Sequence, residues 1–395
     1  MLASYRDAVK DHNKTSRQWA IGLWLAIAIY CFIQSLIRHR LNNYLIFEHT
    51  FFNLINERSL YNTYPAIYDD ANHYGPVFGL FIAPFAMLPR WLGFMLWNVV
   101  NCLLLFKAVQ TIDIKNKSWI YFIALPCFAS SMLSQQFNPA TAAFIIFTYT
   151  LRNKNGGIWS AFLIALGTLI KLYAIVGLAF FFFIKDKKSF LIYLIFWFLA
   201  LFFSPMLVSS PGYIIHSYKE WASSLSVKNA SNIGSLTGDI SIMGFVRNLV
   251  NKPIPNSTFL IVGAFLFLTS YLNFSKYGKR EFQLSVLASV LMFPVLFSSG
   301  SEDCTYIIAV IGVGIWYIQS EKTTLDKLLL GATILVSFNI PLMVFPDFTT
   351  SHPFAIKVIG IPYFLVWLKI LAYAFQLRGE TLTITKVMEE DRILS

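Results

Sequence analysis

Charge is scarce in this chain. Asp, Glu, Lys and Arg make up 13% of its 395 residues, about half of the roughly 25% usual in a soluble domain. That excludes an ordinary water-soluble globule. Cysteine is also rare: Cys31, Cys102, Cys127 and Cys304 stand alone, with no C-x-x-C pair and no His/Cys cluster. No metal site is expected, and the four read as small core hydrophobes. There is no P-loop, no G-x-G-x-x-G after a strand, no H-E-x-x-H and no G-x-S-x-G, which argues against ATP hydrolysis, Rossmann-type nucleotide binding and serine hydrolysis. A nucleotide-sugar enzyme would want a cytoplasmic soluble domain, and no hydrophilic stretch is long enough for one. Short segments of alternating polarity are missing too, which excludes a β-barrel.

What is present is apolar. The chain is 56% hydrophobic and 17% aromatic, with a mean hydropathy of +0.60. Apolar runs recur from end to end, so the expected fold is an all-α polytopic membrane protein in a single domain, 1–395, of about 10–13 transmembrane or re-entrant helices. The net charge of +11 reads as Lys and Arg in cytoplasmic loops rather than as a nucleic-acid surface. Residues 1–18 are polar and basic, and Trp19 to Ile37 reads as an uncleaved first helix with its N-terminus in the cytoplasm.

Further apolar segments fall near 75–88, 91–110, 118–133, 138–151, 157–170, 172–185, 189–208, 256–274, 282–298, 305–319, 328–345 and 354–376. Basic clusters at 152–155, 185–188 and 276–280, with Lys322, Lys327 and Arg378, place those ends in the cytoplasm. The opposite tips are then 134–140, 170–174, the large loop 209–255, 298–304 and 346–353, on the same side as the first loop, 38–74. One conflict arises: 107–117 also looks cytoplasmic, so 75–106 must cross an odd number of times, yet it reads as two helices broken at Leu88-Pro89-Arg90.

Polar residues gather on the non-cytoplasmic side, where ionisable groups near membrane depth tend to line a site. Residues 42–61 predict an amphipathic surface helix with Tyr44, Phe47, Phe51 and Ile55 on one face. Glu48 shares that stripe, either as an edge residue paired with Arg or solvent or as a carboxylate whose dry setting suits a base. In "YDDANHYGP" (68–76), Asp69 and Asp70 precede a helix start beside His73 and Tyr74. They read as caps, or as a general base with a polar partner. Lys171, inside an apolar stretch with Tyr173 close by, either snorkels or faces a cavity where it can meet a lipid phosphate. Gln136 and Asn138 at the next tip suit sugar hydroxyls or helix capping. Glu302 and Asp303, ahead of Thr305 and Tyr306, carry the same two readings.

The blocks "SLYNTYP" (59–65), "HYGPVFGLFIAPFAMLPRWLGFMLWNVVN" (73–101), "QQFNPA", "LIKLYAIVGLAFFF" and "LFSSGSEDCTYIIAV" (296–310) occur in an order that resembles the polyprenol-phosphate-dependent glycosyltransferases of the C-type superfamily (GT-C). The chain is most similar to glycosyltransferase family 87, in the form of Bacteroidetes-like bacteria. The resemblance implies a helical bundle with surface helices in the first outer loop. It also implies a sugar, mannose in the best-known members, carried on a polyprenyl monophosphate. The reaction it implies is inverting and needs no metal or other cofactor, with a first-loop Asp as base. The acceptor it implies is a glycolipid or glycan at the outer face of a bacterial inner membrane, among membrane lipids.

One position departs from the family pattern. Counted back from Leu60-Tyr61, the family's loop Asp falls at Asn43, which cannot serve as a base at neutral pH but can hold a sugar hydroxyl. Asp70, then Glu48, then Glu302 are the candidate replacements, with Lys171 and Arg40 as cations for the leaving phosphate. A lipid-linked-sugar transporter or flippase is the competing reading, although no matched inverted halves are visible. A catalytically inactive, glycolipid-binding member is the third.

Overall fold

A computed structural model describes residues 2–233, 235, 238–339 and 351–376. Helices dominate, and the described residues form no strand beyond one isolated bridge between Tyr64 and Tyr68. The helices are α1 (Leu2–Ile37), α2 (Asn42–Ile55), α3 (Val77–Ala86), α4 (Arg90–Thr111), α5 (Ser118–Ile123), α6 (Leu125–Leu133), α7 (Asn138–Thr150) and α8 (Ile158–Ile170). A 3₁₀ helix, Leu172–Phe183, leads to α9 (Lys187–Phe203), α10 (Pro211–Ile233), α11 (Ile242–Val250) and α12 (Asn256–Thr269). α13 (Arg280–Leu296), α14 (Tyr306–Gln319), α15 (Thr324–Ser337) and α16 (Gly360–Gln376) complete the order.

Among the described residues, four stretches are long and apolar enough to cross a membrane: Thr15–Ile37, Arg90–Thr111, Lys187–Leu207 and Ala355–Gln376. Their surfaces carry the membrane signature. In α9 only Phe190 is buried, while Leu191, Ile192, Ile195, Phe196 and Leu199 stand exposed. Water would not tolerate so large an apolar patch, and lipid does. α1 shows the two-faced version. Ala20, Trp24, Ala28 and Cys31 recur every three to four residues and are buried, whereas Trp19, Leu23, Tyr30 and Ile33 face outward. Small residues on either side of Trp24 let α1 approach its neighbours, where close packing rather than water exclusion binds helices in lipid. The Trp24 ring stacks on Phe128 at 4.1 Å, and its indole N–H donates to the Tyr121 carbonyl at 3.1 Å. α13 and α14 meet as tightly: a side chain on Gly312 would lie 2.5 Å from the Ala288 carbonyl oxygen.

The crossing conflict between 75 and 106 resolves through length. α3 has ten residues, about 15 Å against a hydrocarbon core of about 30 Å. It runs antiparallel to α2, from Gly79 beside Leu54 to Phe85, whose carbonyl accepts from the Tyr44 hydroxyl at 3.4 Å. The chain has therefore returned to the level of α2 before α4 crosses once.

Four expectations are corrected. The segment 118–133 is two helices, parted at Ala124 ahead of Pro126, which has no N–H to donate. The segment 172–185 is a 3₁₀ helix of twelve residues, which its rise of about 2.0 Å per residue stretches to about 24 Å. α2 is not a one-faced surface helix: Ile46, Glu48, Thr50, Asn53 and Leu54 are buried with Tyr44, Phe47 and Phe51, while Ile55 is exposed. The large loop 209–255 holds α10 and α11. The tip at 346–350 and Arg378 lie outside the described residues.

Gly75 pins the first loop to the bundle. Its N–H donates to the Ile170 carbonyl at 3.0 Å, and a Cβ there would lie 2.0 Å from the Leu169 carbonyl oxygen and 3.0 Å from the Trp221 ring. Gly75→Ala is expected to cost about 1–3 kcal/mol through backbone displacement, read as a lowered melting temperature in detergent. An unchanged melting temperature would show that the loop moves freely against α8.

Candidate active site

A cavity of about 410 Å³ opens where the first loop, the tips before α7 and after α8, α10 and the 298–305 turn converge. From the sequence-derived candidates it gathers Asn43, Asp70, His73, Tyr74, Gln136, Lys171, Tyr173, Glu302 and Thr305. These residues come from five separate stretches of chain, so their meeting is a tertiary fact.

Lys171 is the central cation. α8 ends at Ile170 and Lys171 turns to extended backbone, φ −145° and ψ 120°, which swings its side chain out of the helical path. Its Nζ donates to Asn138 Oδ1 at 2.7 Å and lies 4.7 Å from the Tyr173 ring centroid and 5.8 Å from that of Tyr74. An ammonium held by one amide and two aromatic faces keeps donors free for an anion. Asn138 does not line the cavity; it is buried and also donates to the Cys304 carbonyl at 3.1 Å, so it acts as a bracket between α7, Lys171 and the 298–305 turn. Tyr173 is fixed by its hydroxyl contact with Ser298 Oγ at 2.9 Å. The Tyr74 hydroxyl donates to Gln136 Oε1 at 3.0 Å.

The acids divide. Asp70 is exposed, accepts the Ala71 N–H at 2.7 Å, and lies 3.9 Å from Lys228 Nζ on α10. Glu302 also lines the cavity, its N–H donating to Thr305 Oγ1 at 3.2 Å. Glu48 lies elsewhere. Its carboxylate is buried against Arg90, with Nε and Nη2 each 2.9 Å from Oε2. Burial pushes the Glu48 carboxyl up, and the Arg90 guanidinium opposes this. Asp69 is exposed, outside the cavity, with its N–H capped by Asn42 Oδ1 at 2.8 Å. Tyr306 is buried and donates to the Ile240 carbonyl at 2.7 Å. Arg40 is exposed and does not line the cavity. Asn43 lines it while its Nδ2 donates to the Ser134 carbonyl at 2.8 Å.

His73 is strapped from both sides. Its carbonyl accepts the Trp221 indole N–H at 2.9 Å, and its Nδ1 lies 2.9 Å from Ser224 Oγ. Burial, helped by Lys228, holds its imidazole below the ordinary histidine range, so the ring is neutral at neutral pH.

One wall was not anticipated. α10 contributes Trp221, Leu225, Lys228, Asn229 and Asn232. Its signal was in the sequence: Ile214, Tyr218, Trp221 and Leu225 recur at helical spacing, within a segment whose polar surroundings make it look like loop. The far half of α10 is held by amide and hydroxyl bonds. Asn229 Oδ1 accepts from Ser299 Oγ at 2.5 Å and from Asn256 Nδ2 at 2.6 Å, while Asn256 in turn meets Arg247, which is paired with buried Asp239.

The arrangement combines a lysine, aromatic walls, amides and two carboxylates in one cavity. The family model for glycosyltransferase family 87 matches residues 72–299, more than half of the chain. The match takes in His73, Lys171 and α10, begins after Asn43 and Asp70, and stops before Glu302. No curated protein matches the chain. The chain thus belongs to glycosyltransferase family 87, and it is an integral membrane glycosyltransferase.

Proposed function

We propose that this protein transfers a hexose or pentose, such as mannose, from a polyprenyl-monophosphate donor to a glycolipid or glycan acceptor, with inversion at the sugar carbon. The observation that carries the reading is Lys171: a cation seated among aromatic rings in a cavity that also holds two acids and several amides. Asp70 takes the proton of the acceptor hydroxyl, the oxygen bonds to C1, and the C1–O bond to phosphate breaks. The polyprenyl phosphate departs with one more negative charge, which Lys171 stabilises. Asn43 and Gln136 hold sugar hydroxyls.

The charge pattern supports a reaction side. α7, α8, α13 and α14 each have one end at the cavity and the other beside a basic cluster, at 152–155, 276–280 or Lys322. Lys and Arg favour the cytoplasmic side, which supports a site at the outer face of a bacterial inner membrane. The test is incubation of the purified full chain with a panel of polyprenyl-phosphate sugars and lipid acceptors, with products detected by mass spectrometry. Transfer with at least one pair is expected. Donor binding without turnover would favour an inactive glycolipid-binding protein. Movement of an intact lipid-linked sugar across vesicles would favour a flippase. A cysteine placed at exposed Gly300 is expected to label from outside only, and labelling from inside alone would overturn the orientation.

A further inference from the structure

The cavity under Lys171 has a neighbour. A second, more open space of about 470 Å³ lies between the first loop and α10. The two share a wall, since Asp70, Ala71, His73 and Lys228 line both.

Their chemistries differ. The inner cavity has aromatic faces and a cation, Lys171, whose side-chain hydrogen bond goes to the Asn138 amide rather than to a carboxylate, suited to phosphate and isoprenoid. The outer space is lined by Asn62, Ser223, Ser231 and Glu220. Glu220 is oriented by the Ser59 hydroxyl, 3.2 Å from each carboxylate oxygen, with His216 Nε2 at 3.7 Å. Its one lysine, Lys228, faces Asp70. The Glu220 carboxylate disfavours a phosphate, and the hydroxyls and the amide match a neutral polyhydroxylated molecule. A second observation falls on the shared wall itself. His73 Nε2 is buried and has no hydrogen-bond partner among the described residues, an acceptor that an incoming hydroxyl would satisfy. Ser224 Oγ lies 3.4 Å from the Asn72 carbonyl as well as 2.9 Å from His73 Nδ1. A serine donating to that carbonyl accepts from Nδ1–H and leaves Nε2 as the bare acceptor.

Resting on the transferase reading above, we propose that the outer space is the acceptor subsite. It takes the neutral, hydroxylated carbohydrate head of the acceptor and presents its nucleophilic hydroxyl at the Asp70–His73 wall, while the donor occupies the cavity under Lys171. The hydroxyl proton passes to the Asp70 carboxylate as described, and His73 Nε2 orients the hydroxyl.

The test fills the outer space from exposed positions of α10. Val227→Trp and Ser231→Trp, with Ser223→Trp replacing either one that does not purify as monodisperse protein, are compared with the full wild-type chain. The acceptor probes are octyl mannoside and octyl glucoside; the donor is whichever polyprenyl-phosphate sugar the wild type turns over. Acceptor KM is expected to rise about tenfold or more, with donor Kd within about twofold of wild type. Unchanged acceptor KM in variants of an active wild type overturns the subsite and leaves the transferase reading standing. A fall in donor affinity matching the rise in acceptor KM also overturns it, by making the space part of the donor site. Absence of wild-type turnover with every pair overturns the transferase reading and the subsite together.

Discussion

Asp70→Asn is expected to lower turnover by about 10²–10⁴-fold, the usual contribution of a positioned general base. The amide keeps the shape of the side chain and can still accept the Ala71 N–H that Asp70 Oδ1 now accepts at 2.7 Å, so the loop keeps its turn. The pairing with Lys228 at 3.9 Å joins half-exposed groups, and such pairs contribute little to stability. What the variant loses is the capacity to take a proton. Steady-state kinetics would show a lowered kcat with donor Kd close to wild type. Full turnover would remove Asp70 as the base and move the role to Glu302, the other acid of the cavity, through Glu302→Gln. Glu48→Gln serves as the contrast: Glu48 is engaged with Arg90 away from the cavity, and its loss is expected to lower the melting temperature more than the turnover.

Lys171→Met is expected to lower kcat by about 10²–10³-fold, the scale of losing one preorganised group that stabilises developing charge. The loss arises because departing phosphate gains charge in a site walled by Tyr74 and Tyr173, where water screens poorly. Met matches the length of the lysine stem, and Asn138 keeps its bond to the Cys304 carbonyl, so the bracket survives. A purely structural role predicts equal losses in melting temperature and activity. A charge-stabilising role predicts a large fall in kcat, weaker binding of a polyprenyl monophosphate, and partial recovery in Lys171→Arg. Unchanged kcat and donor affinity would discard the phosphate role.

The legible part of this site was the part carried by local oddity. A lysine in an apolar run, amides beside a proline and paired acids before a helix are visible without a fold because each violates the composition around it. Glu48 illustrates the limit. Its place on an apolar stripe left open a dry carboxylate or an edge residue paired with Arg; the structure buries it against Arg90, 42 residues away, and no periodicity says which arginine that is. α10 illustrates a second limit. Trp221 and Ser224 meet His73 across about 150 residues of chain, and a polar amphipathic helix between apolar spans looks like loop until its buried face has something to cover.

By itself the sequence determined the solvent of this protein, because hydropathy acts through each segment's own transfer energy to lipid or water. It also determined most helices, with a break at Pro89 where the backbone lacks a donor, whereas the parting ahead of Pro126 emerged only in the structure. The tertiary structure alone decided which polar groups share a cavity. Lys171, Asp70 and Glu302 converge, while Glu48, Asn138 and Tyr306 are spent on internal partners. Convergence depends on contacts between segments far apart in the chain, such as the close approach at Gly75 and the strap of α10, and those energies belong to pairs of surfaces rather than to any one stretch of residues.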